Sequence, residues 1–213
     1  MKKYYFFDLD GTLADTDGDI RLAWKDAMAD MNLPVEDFDR LFVAGPTIEE
    51  MAKKIFPDRY SDAFAAELRK RFGEHYDNDG FPSTKEYPRI MERVCFLKDS
   101  GAKVFIVTNK RHAGTMAMAK RFGWDCVFDG IYSVDMYAND PSIGKLNKTA
   151  MLSRVIASLG AAKEESVMVG DTLGDFVAAA ANGIESIAAG WGYGTDEERS
   201  RATRVASVPE DIA

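Results

Sequence analysis

The sequence predicts an α/β fold, a parallel sheet with helices on both faces and an α-helical segment inserted after the first strand. Three observations carry that expectation. Short, uninterrupted apolar runs such as Tyr4–Phe7, Val104–Val107 and Val167–Val169 read as strands buried on both faces. Amphipathic helical stretches separate the later runs, which is the rhythm of parallel strands joined by crossover helices. Residues 19–82 show helical patterning only, so the first strand is cut off from its partners by a helical insert.

Tyr4–Phe7 is the first strand. In the insert, Thr47-Ile48-Glu49-Glu50 has the capping-box pattern of a helix start, and Pro57 closes that helix. Phe64, Leu68 and Phe72 recur every four residues and share one face of a later helix. Asp77 to Ser83 is polar and rich in chain breakers, as a linker would be. Ile90, Val94 and Leu97 then line a helix that Gly101 ends. Val104–Val107 is a strand, a helix around Met116–Phe122 comes after it, and Val127–Tyr132 reads as the next strand. Leu152, Val155, Ile156 and Leu159 mark a helix stopping at Gly160. Val167–Val169 is a strand, Phe176–Ala181 a helix ended by Asn182-Gly183, and Ile184–Ala188 the last clear strand. The expected organisation is a Rossmann-like core from residues 1–15 and 83–213, with an α-helical cap from residues 16–82.

Composition narrows the function. The 213 residues carry a net charge of -8, with 46% hydrophobic and 29% charged residues. A chain this acidic lacks the basic face that long polyanions require, so nucleic acid is not an expected partner. The apolar run after Met1-Lys2-Lys3 stops at Asp8, too short for a signal-peptide core, and no later run suits a membrane span. Cys95 and Cys126 stand without a Cys/His cluster, which argues against zinc and fits free thiols in a reducing cytoplasm. A cytoplasmic protein, monomer or homodimer, is expected.

In parallel sheets ligands bind beyond the carboxyl ends of the strands, so the residues just past each strand matter most. The first strand leads into Asp8-Leu9-Asp10-Gly11-Thr12. On an extended segment residues two apart face the same side, and two such anions are costly unless a cation lies between them. Hard carboxylate oxygens suit Mg²⁺, and Gly11 permits a sharp turn and a close approach to a ligand. After Val104–Val107 come Thr108-Asn109-Lys110, a hydroxyl with backbone N–H groups at a strand-to-helix turn, an anion-binding nest. After Val167–Val169 comes Gly170-Asp171-Thr172-Leu173-Gly174-Asp175, a second acidic pair at the same sheet edge. One lysine ahead of the preceding helix, Lys148 or Lys145, can balance this charge. Taken singly, each feature is ordinary turn chemistry. Their joint occurrence at successive strand ends is the signal.

These four segments resemble the motifs of the haloacid dehalogenase-like hydrolase superfamily. Phe6-Phe7-Asp8-Leu9-Asp10-Gly11-Thr12-Leu13 resembles the first motif, Val107-Thr108-Asn109 the second, and Gly170-Asp171 through Asp175 the fourth. The third is a lysine before a helix. Lys148 in Asn147-Lys148-Thr149 is similar to its shorter Lys-Thr variant, with Lys145 as the fallback, and the Lys-Pro pair common in the branch is missing. Asp at position 10 is typical of phosphatase and phosphomutase members. The helical insert, Phe128 to Tyr132 and Gly192-Tyr193-Gly194 resemble the phosphoglycolate phosphatase-like branch.

The resemblance implies a Mg²⁺-dependent phosphatase acting on a small phosphorylated metabolite, with phosphoglycolate or a 5′-nucleotide as substrate guesses. It implies Asp8 as nucleophile and Asp10 as general acid and base. Thr108, Asn109 and Lys148 would hold the phosphoryl group. The metal would be bound by Asp8, the Asp10 backbone carbonyl and Asp171, with Asp175 binding through water or orienting Lys148. Gly45-Pro46-Thr47 is a plausible cap loop facing the core, although helix capping explains Thr47 equally well. Lys53, Lys54 and Arg71 read as solvated charges. Lys110, Arg111 and His112 either reach the leaving group or form a surface cluster at a helix start. A sugar phosphomutase on the same motifs and a non-catalytic binder on the same fold are the alternatives. A phospho-receiver domain fits poorly, because its phosphorylated Asp should come after a middle strand.

Overall fold

A computed structural model of the chain describes residues 1–77, 80–138 and 147–213. Lys145 and part of the expected linker at residues 77–83 lie outside the described residues. The elements in order are β1 (Tyr4–Phe7), β2 (Ala14–Asp15), α1 (Asp17–Asp30), α2 (Phe38–Leu41), α3 (Ile48–Ile55), α4 (Asp62–Tyr76), β3 (Lys85–Glu86) and α5 (Ile90–Asp99). They continue with β4 (Lys103–Thr108), α6 (His112–Phe122), β5 (Gly130–Ser133), α7 (Lys148–Leu159) and β6 (Ser166–Gly170). The last are α8 (Leu173–Asn182), β7 (Glu185–Ala189), α9 (Asp196–Arg199) and β8 (Arg204–Ala206).

Six strands form one sheet in the order β5-β4-β1-β6-β7-β8, and every pairing is parallel. β1 lies inside it, with Phe7 level with Ile106 on one side and Val169 on the other. The register brings the ends of β1, β4 and β6 to one edge. Phe6, Phe105, Val107 and Met168 pack against Met151, Leu152 and Val155 of α7 and Ala178 and Ala179 of α8. The alternate residues Tyr5, Phe7, Val104 and Ile106 are equally buried, so both faces are covered and no period-2 pattern survives in the sequence. Gly160 and Gly183 cap α7 and α8 in the left-handed conformation, where the apolar periodicity stops.

The chain divides into two compact units, Met1–Asp15 with Lys85–Ala213, and Thr16–Thr84. The helical unit has its own core, in which Trp24 meets Phe38, Phe42 and Phe72 and Leu68 is buried. Thr47 and Glu50 form the reciprocal capping box of α3. The buried Asp19 carboxylate accepts the N–H groups of Ser83 and Thr84 at 2.9 and 2.7 Å and the Thr84 hydroxyl at 2.6 Å. Ser83 and Thr84 therefore belong to the helical unit, two residues beyond the sequence boundary.

Four strands differ from the sequence reading, two of them being β2 and β3, a short antiparallel pair that it did not expect. The one expected at Val127–Tyr132 begins at Gly130, because residues 124–126 form a tight turn and the Phe128 N–H still bonds back to Trp124. The chain joins β4 at Asp129, whose N–H donates to the Val104 carbonyl and whose carboxylate accepts the Val104 N–H. β8 has no counterpart in the sequence reading. Its three residues pair with β7 at the sheet edge and open with Arg204. Among the described residues no helix is long and apolar enough to cross a membrane.

Candidate active site

Asp8 continues the ladder one residue past β1, its N–H donating to the Val169 carbonyl at 2.8 Å. The chain then coils. The Leu9 carbonyl accepts the N–H groups of Thr12, Leu13 and Ala14, and Gly11 N–H donates to Ala14. Gly11 has φ +77°, and a Cβ there would overlap the Asp171 carboxylate. Only glycine meets both demands, the left-handed backbone and the contact.

Asp171 lies just past β6 and is fully buried. Its Oδ2 accepts the Tyr193 N–H at 2.8 Å, and Thr12 Oγ1 donates to Oδ1 at 3.4 Å. Asp175 lies in the first turn of α8, where its Oδ2 accepts from Thr172 N and Oγ1 at 3.1 and 3.2 Å. Its Oδ1 accepts from Lys148 Nζ at 2.5 Å, and the same ammonium reaches Asp8 Oδ1 at 2.7 Å. Lys148 opens α7 behind the Asn147 cap. A cation at a helix N-terminus opposes the helix dipole; here two carboxylates offset that cost.

The carboxylates of Asp8, Asp171 and Asp175 offer oxygens within 4.8 Å of one another, all three buried. Burial raises Asp8 to about 7; Lys148 pulls it back while Asp175 and Asp10 push it further up. Burial, then Asp175 and Asp8, holds Asp171 well above the ordinary carboxylate range. Burial alone would lower Lys148, but Asp175 and Asp8 raise it. Three buried, crowded acids sharing one ammonium are short of positive charge, which is why Asp8 and Asp171 hold their protons. A set of hard, buried oxygens in that condition fits a hard divalent cation.

Asp10 is not one of these three, although its charge is felt by Asp8. Sequence spacing pairs the two acids around a cation, and in the structure each also has its own lysine. Asp10 Oδ1 accepts from Lys110 Nζ at 2.9 Å, and the Lys110 side chain is only 6% exposed. Lys110 is therefore not part of a solvated surface cluster. Thr108, at the end of β4, is buried, and its Oγ1 accepts the Lys110 N–H at 3.1 Å. Asn109 beside it is exposed, as is Arg111, while His112 N–H is held by Asp135. In the helical unit, Lys53 and Lys54 are exposed and Arg71 pairs with Glu67.

Sequence reasoning gives no place in the site to Tyr193, Gly192 and Thr12. A Cβ on Gly192 would strike Asp171 and the Gly11 carbonyl, so this loop closes tightly over the acid. A signal for it exists, since Gly192-Tyr193-Gly194 comes after the last predicted strand as the other site segments come after theirs.

A family model described as haloacid dehalogenase-like hydrolase matches residues 5–189. The chain is 26% identical over 193 residues to a 5′-nucleotidase of Pseudomonas aeruginosa, spanning 90% of this chain and 84% of that protein. It is 29% identical over 188 residues to a phosphoglycolate phosphatase of Aquifex aeolicus, with coverages of 88% and 84%. Its structure is similar to the crystal structure of "a predicted phosphatase" from Clostridium acetobutylicum, with a TM-score of 0.85, 26% identity and coverages of 99% and 96%.

Proposed function

This chain belongs to the haloacid dehalogenase-like hydrolases, and from that premise we propose that it hydrolyses a small phosphomonoester through a phosphoryl group carried on Asp8. The observation that carries the reading is the Asp8 carboxylate at the end of β1, held by Lys148 and grouped with Asp171 and Asp175. Asp8 attacks phosphorus while the bond to the leaving oxygen breaks. Asp10 gives that oxygen a proton, then takes one from the water that hydrolyses the aspartyl-phosphate. Thr108 can donate its hydroxyl proton to a phosphoryl oxygen, because its own oxygen accepts the Lys110 N–H. The N–H groups of the Asn109 turn and the Lys148 ammonium complete the cradle.

Mg²⁺ is the cation we assign, held by the carboxylates of Asp8 and Asp171 and the Asp10 backbone carbonyl. When bound it supplies positive charge that offsets the phosphoryl oxygens. Asp175 serves by holding Lys148, as its 2.5 Å contact favours. In this reading residues 16–84 act as a cap that excludes water and selects the substrate. The names of the relatives make phosphoglycolate and a 5′-nucleotide the first substrates to try. The two exposed free thiols suit a cytoplasmic enzyme.

The test is phosphate release from a panel of phosphomonoesters, with Mg²⁺ or with EDTA. Metal-dependent release from at least one ester is expected. Release from none would overturn the reading, and isomerised sugar phosphate without release would make the chain a phosphomutase.

Metal binding is expected to weaken in acid. Asp8 at about 7 and the raised Asp171 keep protons in the metal-free fold that an unfolded chain has already released. The Asp8 contribution to stability is complete below the ordinary value of 3.8 and is lost as pH rises through about 7, and the raised Asp171 acts in the same direction. Mg²⁺ has to displace those protons, so its stabilising effect grows over the same range. The gain in thermal midpoint with Mg²⁺ over EDTA should be larger at about pH 8 than at about pH 5.5. An equal gain at both would contradict carboxylate ligands.

A further inference from the structure

Lys110 is as buried as Lys148, each with a side chain 6% exposed, yet it serves a different acid. The turn carrying it is set by Thr108, whose hydroxyl accepts the Lys110 N–H. Its ammonium then crosses to Asp10, 100 residues away in sequence. We propose that Lys110 is a positioning residue that aims the Asp10 carboxyl group at the leaving oxygen of the substrate.

The proposal rests on the phosphatase reading, in which Asp10 carries the proton. A carboxyl group has two oxygens, and a charge-assisted bond to Oδ1 fixes the side-chain rotamer and with it the direction of Oδ2. The Asp10 side chain is 22% exposed, so it lacks the enclosure that holds Asp171 in place. Asp10 lies outside the tight group of Asp8, Asp171 and Asp175 and has its own ammonium partner in Lys110. As the bond from Asp8 to phosphorus forms, the bond from phosphorus to the leaving oxygen breaks and its electron pair stays on that oxygen. The oxygen takes the proton from Asp10 Oδ2. In the second half the attacking water returns a proton to Oδ2 as its own oxygen bonds to phosphorus and Asp8 is released. Nothing is oxidised or reduced.

The experiment compares an alkyl phosphate, whose alkoxide needs that proton, with p-nitrophenyl phosphate, whose leaving group departs without it. Both are assayed with Mg²⁺ for the wild type, Lys110→Met, Asp10→Asn and the double variant. Lys110→Met is expected to lower kcat on the alkyl ester by about 10²-fold and on the aryl ester by less than about 5-fold, with KM little changed. Asp10→Asn should show the same split, and adding Lys110→Met to it should cost no more than about twofold further. Lys110→Arg should restore part of the alkyl activity. Thermal midpoints and Mg²⁺ titrations establish that each variant is folded, and Lys110→Gln replaces Lys110→Met if the latter does not fold. Equal losses on the two esters, or losses that multiply in the double variant, would overturn the positioning role. A wild type that releases phosphate from neither ester strikes the phosphatase reading itself.

Discussion

Asp8→Asn is expected to lower kcat by about 10⁴-fold or more while leaving the protein folded. The amide has the carboxylate's shape but neither its charge nor its nucleophilicity. The fold should tolerate it, because burial and the negative charge of Asp175 already work against an ionised Asp8. Lys148 keeps its contact with Asp175. The midpoint in EDTA should therefore hold steady or rise at about pH 8, where the wild-type carboxylate is charged. The covalent step is read separately, by mixing enzyme and substrate for a single turnover, quenching in acid and weighing the intact chain. The wild type should gain one phosphoryl group, located on Asp8, and the variant none. A variant keeping more than about 1% of the wild-type kcat would sink the nucleophile assignment.

Much of this site is legible in the sequence because the relevant signals are local. Tyr4 to Phe7 are apolar because both sheet faces are covered, and the run ends where the strand ends, so Asp8 has to lie at the sheet edge. The same reasoning places Thr108 and Asp171. Lys148 is expected just before a helix, and in the structure it is the first residue of α7, behind an Asn147 cap that the sequence reading did not name. Direction is not legible. A spacing of two groups Asp8 with Asp10, but it does not say which lysine each one meets: Asp8 pairs with Lys148 and Asp10 with Lys110. Tyr193 supports Asp171 through its backbone N–H, which no side-chain identity announces. The unit boundary falls two residues later than the sequence suggests because Asp19 holds Ser83 and Thr84 from 64 and 65 residues away.

Lys148→Met should damage both stability and catalysis, and the pH dependence of the stability loss identifies its cause. The ammonium is buried between Asp8 and Asp175. Removing one member of a buried charge set costs about 3–5 kcal/mol, because the remaining ions stay uncompensated. Here the penalty has an outlet. Asp8 stands at about 7 even with the lysine present, and without it the acids hold their protons more tightly still. A raised folded-state value contributes stability at low pH that disappears as pH rises through it. The variant should therefore approach the wild type at about pH 5.5, where the acids neutralise themselves by protonation, and fall furthest below it at about pH 8. Urea midpoints at both values in EDTA measure the difference. Mg²⁺ should recover part of the loss at about pH 8 by replacing the missing charge. It should not recover turnover if, as proposed, the ammonium also binds the phosphoryl oxygens, and a fall in kcat of about 10²–10³-fold is expected. A penalty of the same size at both pH values would show that methionine disturbs packing around α7 rather than the balance of charge between Asp8 and Asp175.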